Sequence, residues 1–130
     1  MAPRDTTTGA VLEQMVLPAL ARGGFDCRTQ VNIGDRLGGG RHLVDVVAEL
    51  NGRKHLISLK WQQVSGTAEQ KVPFEVISLA EAVLSGEYAS AYLVLGGEGW
   101  KLRSFYTSAG LRRRLVHAEK VGIMTLENLI

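Results

Sequence analysis

The chain is 130 residues long, enough to bury one core and too short for two independent ones. Its formal net charge of +2 is too small to argue by itself for a polyanionic partner; its one cysteine, Cys27, excludes an internal disulfide, and no His/Cys cluster is spaced as a structural zinc site. No stretch approaches the roughly 20 apolar residues of a membrane span, and the first residues lack the apolar core of a secretion signal, so a soluble, cytoplasmic protein is expected.

From about Thr7 to Arg22, Val11, Leu12, Met15, Val16, Ala19 and Leu20 recur at helical spacing, with Thr6 to Thr8 as N-cap candidates and Gly23-Gly24 as the stop. Pro18 lies inside the pattern and is expected to kink this helix or shorten its last turn. Phe25 to Ile33 alternates loosely and reads as a strand, followed by the turn-rich segment Gly34 to Gly40. His42 to Leu50 and Lys54 to Trp61 are two strand-like runs joined by Asn51-Gly52, a strong signal for a two-residue hairpin turn.

Gln62 to Gly66 reads as loop, and Thr67-Ala68-Glu69-Gln70 resembles a capping box opening a helix to about Ser85. Val72, Val76, Leu79, Ala80 and Val83 form its buried stripe, so Pro73 must lie near its first turn or bend it. Ala89 to Leu95 is a short, nearly continuous apolar strand, the pattern of burial on both faces, and Gly96-Gly97 stops it. Trp100 to Tyr106 is ambiguous, Ser108 to Ala118 reads as a basic helix with Leu111 and Leu115 inside, and Val121 to Leu126 as a last strand. The order α-β-β-β-α-β-α-β predicts an α/β fold over residues 1–130, one mixed β-sheet flanked by helices.

The basic residues are grouped. Arg112, Arg113 and Arg114 are consecutive, with Lys101 and Arg103 upstream, and Arg36, Arg41, Arg53 and Lys54 surround the first strands. Singly each is a solvated surface residue; together they favour a nucleic-acid partner. Gly38-Gly39-Gly40 precedes a strand and opens no helix, so it is not a phosphate-binding P-loop. Flanked by Arg36 and Arg41, it reads either as a DNA-contacting flap or as a plain surface loop. Trp61 and Trp100 could stack on bases, but packing comes first for both. His42, His55 and His117 have no metal-ligand spacing, although His42 could sit near the cleft.

The segment that carries chemistry runs from Asp45 to Lys60. Asp45 interrupts a β-branched run, Lys60 lies near the end of the strand that folds back beside it, and burying either charge without a partner is costly. A two-residue turn at Asn51-Gly52 sets position 45 opposite position 58, and alternation puts Ser58 and Lys60 on one face. A carboxylate, a hydroxyl and an ammonium then converge. Phosphodiester hydrolysis uses such a set: oxygen ligands hold Mg²⁺, which polarises the phosphate and acidifies a water, while a cation orients that water or stabilises developing charge. One carboxylate is a poor Mg²⁺ site, so Glu13, Glu69 and Glu75 are candidates for a further ligand.

These residues resemble the PD-(D/E)xK nuclease superfamily, which includes type II restriction endonucleases and archaeal-type Holliday junction resolvases. In it a helix with a glutamate precedes a strand with an aspartate, a hairpin follows, and the next strand bears Glu-x-Lys or Asp-x-Lys; here Glu13, Asp45 and Lys60 fall in that order. The resemblance runs from the first helix to the end of the second. Ser58 stands where the family has its second acid, so the strand reads Ser-Leu-Lys. Some restriction enzymes look similar, with the missing glutamate supplied from the following helix at nearly the spacing of Glu75.

By that resemblance Glu75 is the first choice for the migrated carboxylate and Glu69 the second, while Gln62 could hydrogen-bond a phosphate or water. The resemblance implies a restriction-endonuclease-like fold and a Mg²⁺-dependent DNA endonuclease, with Mn²⁺ able to substitute. Asp45, Glu75, Glu13 and Glu69 are the metal-ligand candidates, Lys60, Ser58 and Gln62 complete the catalytic set, and Arg36, Arg41, Arg112 and Arg113 are candidates for DNA contact. So small a chain is expected to read backbone and shape, or to dimerise so that two sites address two strands. The rival reading is a DNA-binding module that kept the fold and lost its metal site, with Ser58 as its best support.

Overall fold

The computed structural model describes residues 11–35, 41–61, 68–97 and 120–126. A π-helical turn, Leu12–Val16, leads directly into α1, Leu17–Arg22, with Pro18 in the first turn of α1. Proline lacks the N–H that a continuous α-helix would use at this position, and the change from π to α winding falls beside it.

Strand β1 (Asp26–Asp35) pairs antiparallel with β2 (Arg41–Leu50), and β2 with β3 (Arg53–Trp61). Asn51 and Gly52 both have positive φ, 55° and 78°, as a tight turn matched to strand twist requires, and Leu50 pairs with Arg53. Helix α2 (Ala68–Leu84) crosses from β3 to β4 (Ser90–Gly96), which is parallel to β3. Strand β5 (Val121–Thr125) is parallel to β4, so the described residues form a five-stranded mixed sheet in the order β1-β2-β3-β4-β5. The fold is α/β, as the order of elements predicts. The basic helix expected over Ser108 to Ala118, the capping residue Thr67 and Trp100 lie outside the described residues.

Two cores sandwich the sheet. On one face Val72, Val76, Leu79 and Ala80 of α2 pack against Val47, Leu56, Ala91, Leu93 and Leu95; on the other, Val16 and Leu20 pack with Val46, Ala48, Ile57, Leu59 and Val94. Strand β4 contributes to both cores, which explains its unbroken apolar run. Trp61 is half-buried in the second core, the packing role its position predicts. No helix among the described residues is long and apolar enough to cross a membrane.

Candidate active site

Strict alternation would put Val44 and Val46 on the same face of β2. It does not hold: Val44 joins the core beneath α2 and Val46 the opposite core. The change of face falls at Asp45. Across the β1/β2 ladder the pairs Thr29–Val46 and Val31–Val44 bracket Gln30 and Asp45, and Gln30 has a φ of 52°, an unusual backbone for a residue with a side chain. This distortion turns the Asp45 carboxylate along the sheet. Its Oδ2 accepts the Leu59 N–H at 2.7 Å, and its Oδ1 lies 3.4 Å from the Gln30 side-chain amide.

The β2/β3 ladder reaches Val46–Ile57, and one residue beyond it Asp45 meets β3 through its side chain, at the Leu59 N–H next to Ser58. Ser58 is buried on the face of β3 that also carries Leu56 and Lys60, the face covered by α2. Here Glu75 enters. It lies within the helical stripe of Val72, Val76 and Leu79 and is 2 % exposed. Full burial of a valine or leucine contributes about 1.5–3 kcal/mol, whereas an unpaired buried carboxylate costs more than any one of them returns, so the packing of α2 demands partners for Glu75. They are the His42 ring, whose Nε2 is 3.3 Å from Oε2, the Ser58 hydroxyl and the charge of Lys60.

The two acids differ electrostatically. Burial raises the Asp45 carboxyl above its ordinary value; the Leu59 N–H, Lys60 and Gln30 oppose that without cancelling it, and Glu75 adds to the rise. Burial works to raise Glu75 as well, but the His42 hydrogen bond, the Lys60 charge and the Ser58 hydroxyl outweigh it and hold Glu75 below the usual carboxylate value. Asp45 therefore feels Glu75, and both acids feel the same ammonium. Asp45, Ser58, Lys60 and Glu75 form one cluster, and a cation between the acids would favour the charged form of both.

Glu13 is exposed and belongs to the π-helical turn on the opposite face of the sheet from α2. Glu69 lies in the first turn of α2. Arg41 is exposed at the start of β2, beside His42. Gln62, Arg36, Arg112 and Arg113 are outside the described residues. Gln30 is an addition that the sequence reading did not place in the site; His42 was expected only as a residue that could sit near the cleft, with no role given to it. For His42 the signal was the turn-proximal start of a buried strand; for Gln30 it was weaker still, a polar residue in a loosely alternating run.

A pocket of about 310 Å³ lies on the other face, lined by Ala19, Phe25, His55, Ile57, Tyr92 and Met124 among others. None of the clustered polar residues lines it, and it is mainly apolar, unsuited to a phosphate. His55 closes part of it, bonded to Ser90 Oγ at 2.6 Å and edge-on to Phe25.

Aspartate on a distorted strand, a hairpin, lysine on the returning strand and a helix packed over both form the arrangement that a family model matches over residues 4–130, described as a PD-(D/E)XK nuclease superfamily domain. The chain belongs to the PD-(D/E)XK nuclease superfamily. Its fold is similar to that of an XisH family protein from Nostoc punctiforme PCC 73102, with a TM-score of 0.59 and 18 % identity over 92 % of this chain and 94 % of that one. It is also similar to a protein of unknown function designated AF1548, with a TM-score of 0.53 and 14 % identity over 85 % of this chain. This chain spans about half of that protein's length, 54 %. No curated protein matches the sequence significantly. At these identities the structural likeness speaks for the fold alone.

The superfamily implies a divalent metal. Among the described residues no group of three His, Cys, Asp or Glu side chains gathers as a metal site. Mg²⁺, however, commonly takes one or two carboxylates and completes its shell with water and substrate phosphate. Two acids that share one electrostatic environment, Asp45 and Glu75, fit that ion, and an all-oxygen pair does not suit a softer one.

Proposed function

We propose that this chain is a Mg²⁺-dependent endodeoxyribonuclease whose working residues are Asp45, Glu75 and Lys60. The observation that carries the reading is Glu75: buried within the apolar stripe of α2, its carboxylate is held below the usual value by His42, by Lys60 and by Ser58, the strand position where the superfamily has its second acid. Asp45 and Glu75 hold the metal, which when bound polarises the phosphate and lowers the pKa of a coordinated water. Lys60 would supply its ammonium to the attacking water and to the charge developing on the phosphate. Ser58 keeps the Glu75 carboxylate over the strand, and Arg41, exposed one residue before His42, contacts the DNA backbone. Mn²⁺ replaces Mg²⁺ in the same oxygen site. The half-buried free thiol of Cys27 suits the reducing cytoplasm.

The test is incubation of supercoiled plasmid and a synthetic four-way junction with the pure protein in Mg²⁺, Mn²⁺ or EDTA. Lys60→Ala and Glu75→Gln should each lower metal-dependent cutting on the order of 100-fold or more, since several kcal/mol of charge stabilisation are lost at about 1.4 kcal/mol per factor of ten. Ser58→Glu combined with Glu75→Ser, which returns the acid to the strand, should recover part of the loss because the two positions touch. Metal-independent DNA binding without cutting would instead assign the chain as a nuclease-fold binding module. The preferred substrate separates a junction resolvase from a general or restriction-like endonuclease.

A further inference from the structure

The proposed metal site places one of its acids on a helix, and that placement creates a mechanical problem. A glutamate at position 58 would be anchored by the β3 ladder, whereas Glu75 must span from α2 to the sheet with its own rotatable bonds. His42 answers it. It is 3 % exposed, lies three residues before Asp45, and faces α2 because the alternation of β2 changes at Asp45. Its Nε2 is 3.3 Å from Glu75 Oε2. An ionised carboxylate only accepts hydrogen bonds, so Nε2 carries the proton and the ring's tautomer is set by this contact.

We infer that His42 is a positioning residue of the metal site: its Nε2–H fixes Glu75 Oε2 and so holds the migrated carboxylate on the Asp45–Lys60 side of α2. The inference rests on the proposed function, and it assigns to β2 two parts of one site. Asp45 is a ligand, and His42 orients the ligand that arrives from elsewhere. Removing such a partner typically costs 10–100-fold in metal affinity.

Mn²⁺ binding, followed by the electron paramagnetic resonance signal of the free ion, tests this without reference to cleavage. His42→Leu should weaken Mn²⁺ binding about tenfold or more, and His42→Gln, whose side-chain amide still donates, should recover most of the affinity. Asp45→Asn and Glu75→Gln define the full loss. Wild-type affinity in His42→Leu, with both acid variants weakened, would overturn the role of His42 and leave the metal site standing. A His42→Gln variant as weak as His42→Leu would overturn it as well. Unchanged affinity in Asp45→Asn and Glu75→Gln would remove the metal site itself, and His42 with it. Thermal unfolding of each variant accompanies the titrations; if His42→Leu does not fold, His42→Asn, too short to reach Oε2, takes its place.

Discussion

Asp45 shows how much of the candidate site is bought with stability. Its carboxyl is raised by burial, so the folded state binds its proton more tightly than the unfolded chain does. For an acid shifted in this direction, stability falls as pH rises from the ordinary aspartate range through the raised folded-state value, and the penalty is complete above that value. Asp45→Asn keeps an acceptor for the Leu59 N–H, 2.7 Å away, and removes the charge. In EDTA at pH 7 it should therefore melt above the wild type, with the gain shrinking as pH is lowered, while cleavage is lost. A calorimetric scan at several pH values checks this, and a lower Tm for Asp45→Asn at pH 7 would contradict it. Glu75 has the opposite sign: held below its usual value, it stabilises the fold above the ordinary carboxylate range and loses that contribution as pH falls through its depressed value. The sequence pointed at both acids, Asp45 because it breaks a β-branched run and Glu75 because the family resemblance puts a migrated glutamate at nearly its spacing. It offered no such mark for Gln30, whose positive φ arises only where β1 meets the distorted stretch of β2.

At the scale of elements, the parallel half of the sheet depends on two glycines paired with aromatic residues. Trp61 of β3 pairs with Gly96 of β4, and Tyr92 of β4 with Gly122 of β5. A Cβ at Gly96 would meet Trp61 Cε3 at 2.6 Å, and one at Gly122 would meet Tyr92 Cδ1 at 2.8 Å. Each ring lies over its neighbour's bare backbone and is half-buried there. Gly96→Ala and Gly122→Ala should each destabilise by about 1–3 kcal/mol, the usual range for overpacking, measured by urea unfolding. Because Trp61 follows Lys60, Gly96→Ala should also displace the end of β3 and lower cleavage beyond what its stability loss explains. A neutral Gly96→Ala would mean that the ring yields freely. Read as punctuation, Gly96 marked the end of a strand; its second task, making room for a ring from the neighbouring strand, has no local signature.

At the scale of the whole molecule, the proposed function gives one set of Asp45, Glu75 and Lys60 one strand to cut, so cleavage through a duplex would take two sites or two visits. We propose that two copies of the chain act together on DNA. Nicked circles should then form at a rate linear in protein concentration and linear DNA at a steeper order, and light scattering should give a dimer at least when DNA is bound. First-order dependence for both products, with a monomer throughout, would speak for one copy acting twice. The order of the described elements, the Asn51-Gly52 hairpin, the double burial of β4 and the placing of Asp45 beside the Ser58–Lys60 strand were all determined by the sequence itself. They rest on local rules: side-chain periodicity, turn backbone preference and the register that a two-residue turn imposes. The tertiary structure alone decided that Glu75 stands over Ser58 while Glu13 lies exposed across the sheet, and that His42 turns toward α2. Those outcomes depend on how a helix docks on a sheet and how one strand deforms against its neighbour, and such long-range packing leaves no periodic trace in the chain.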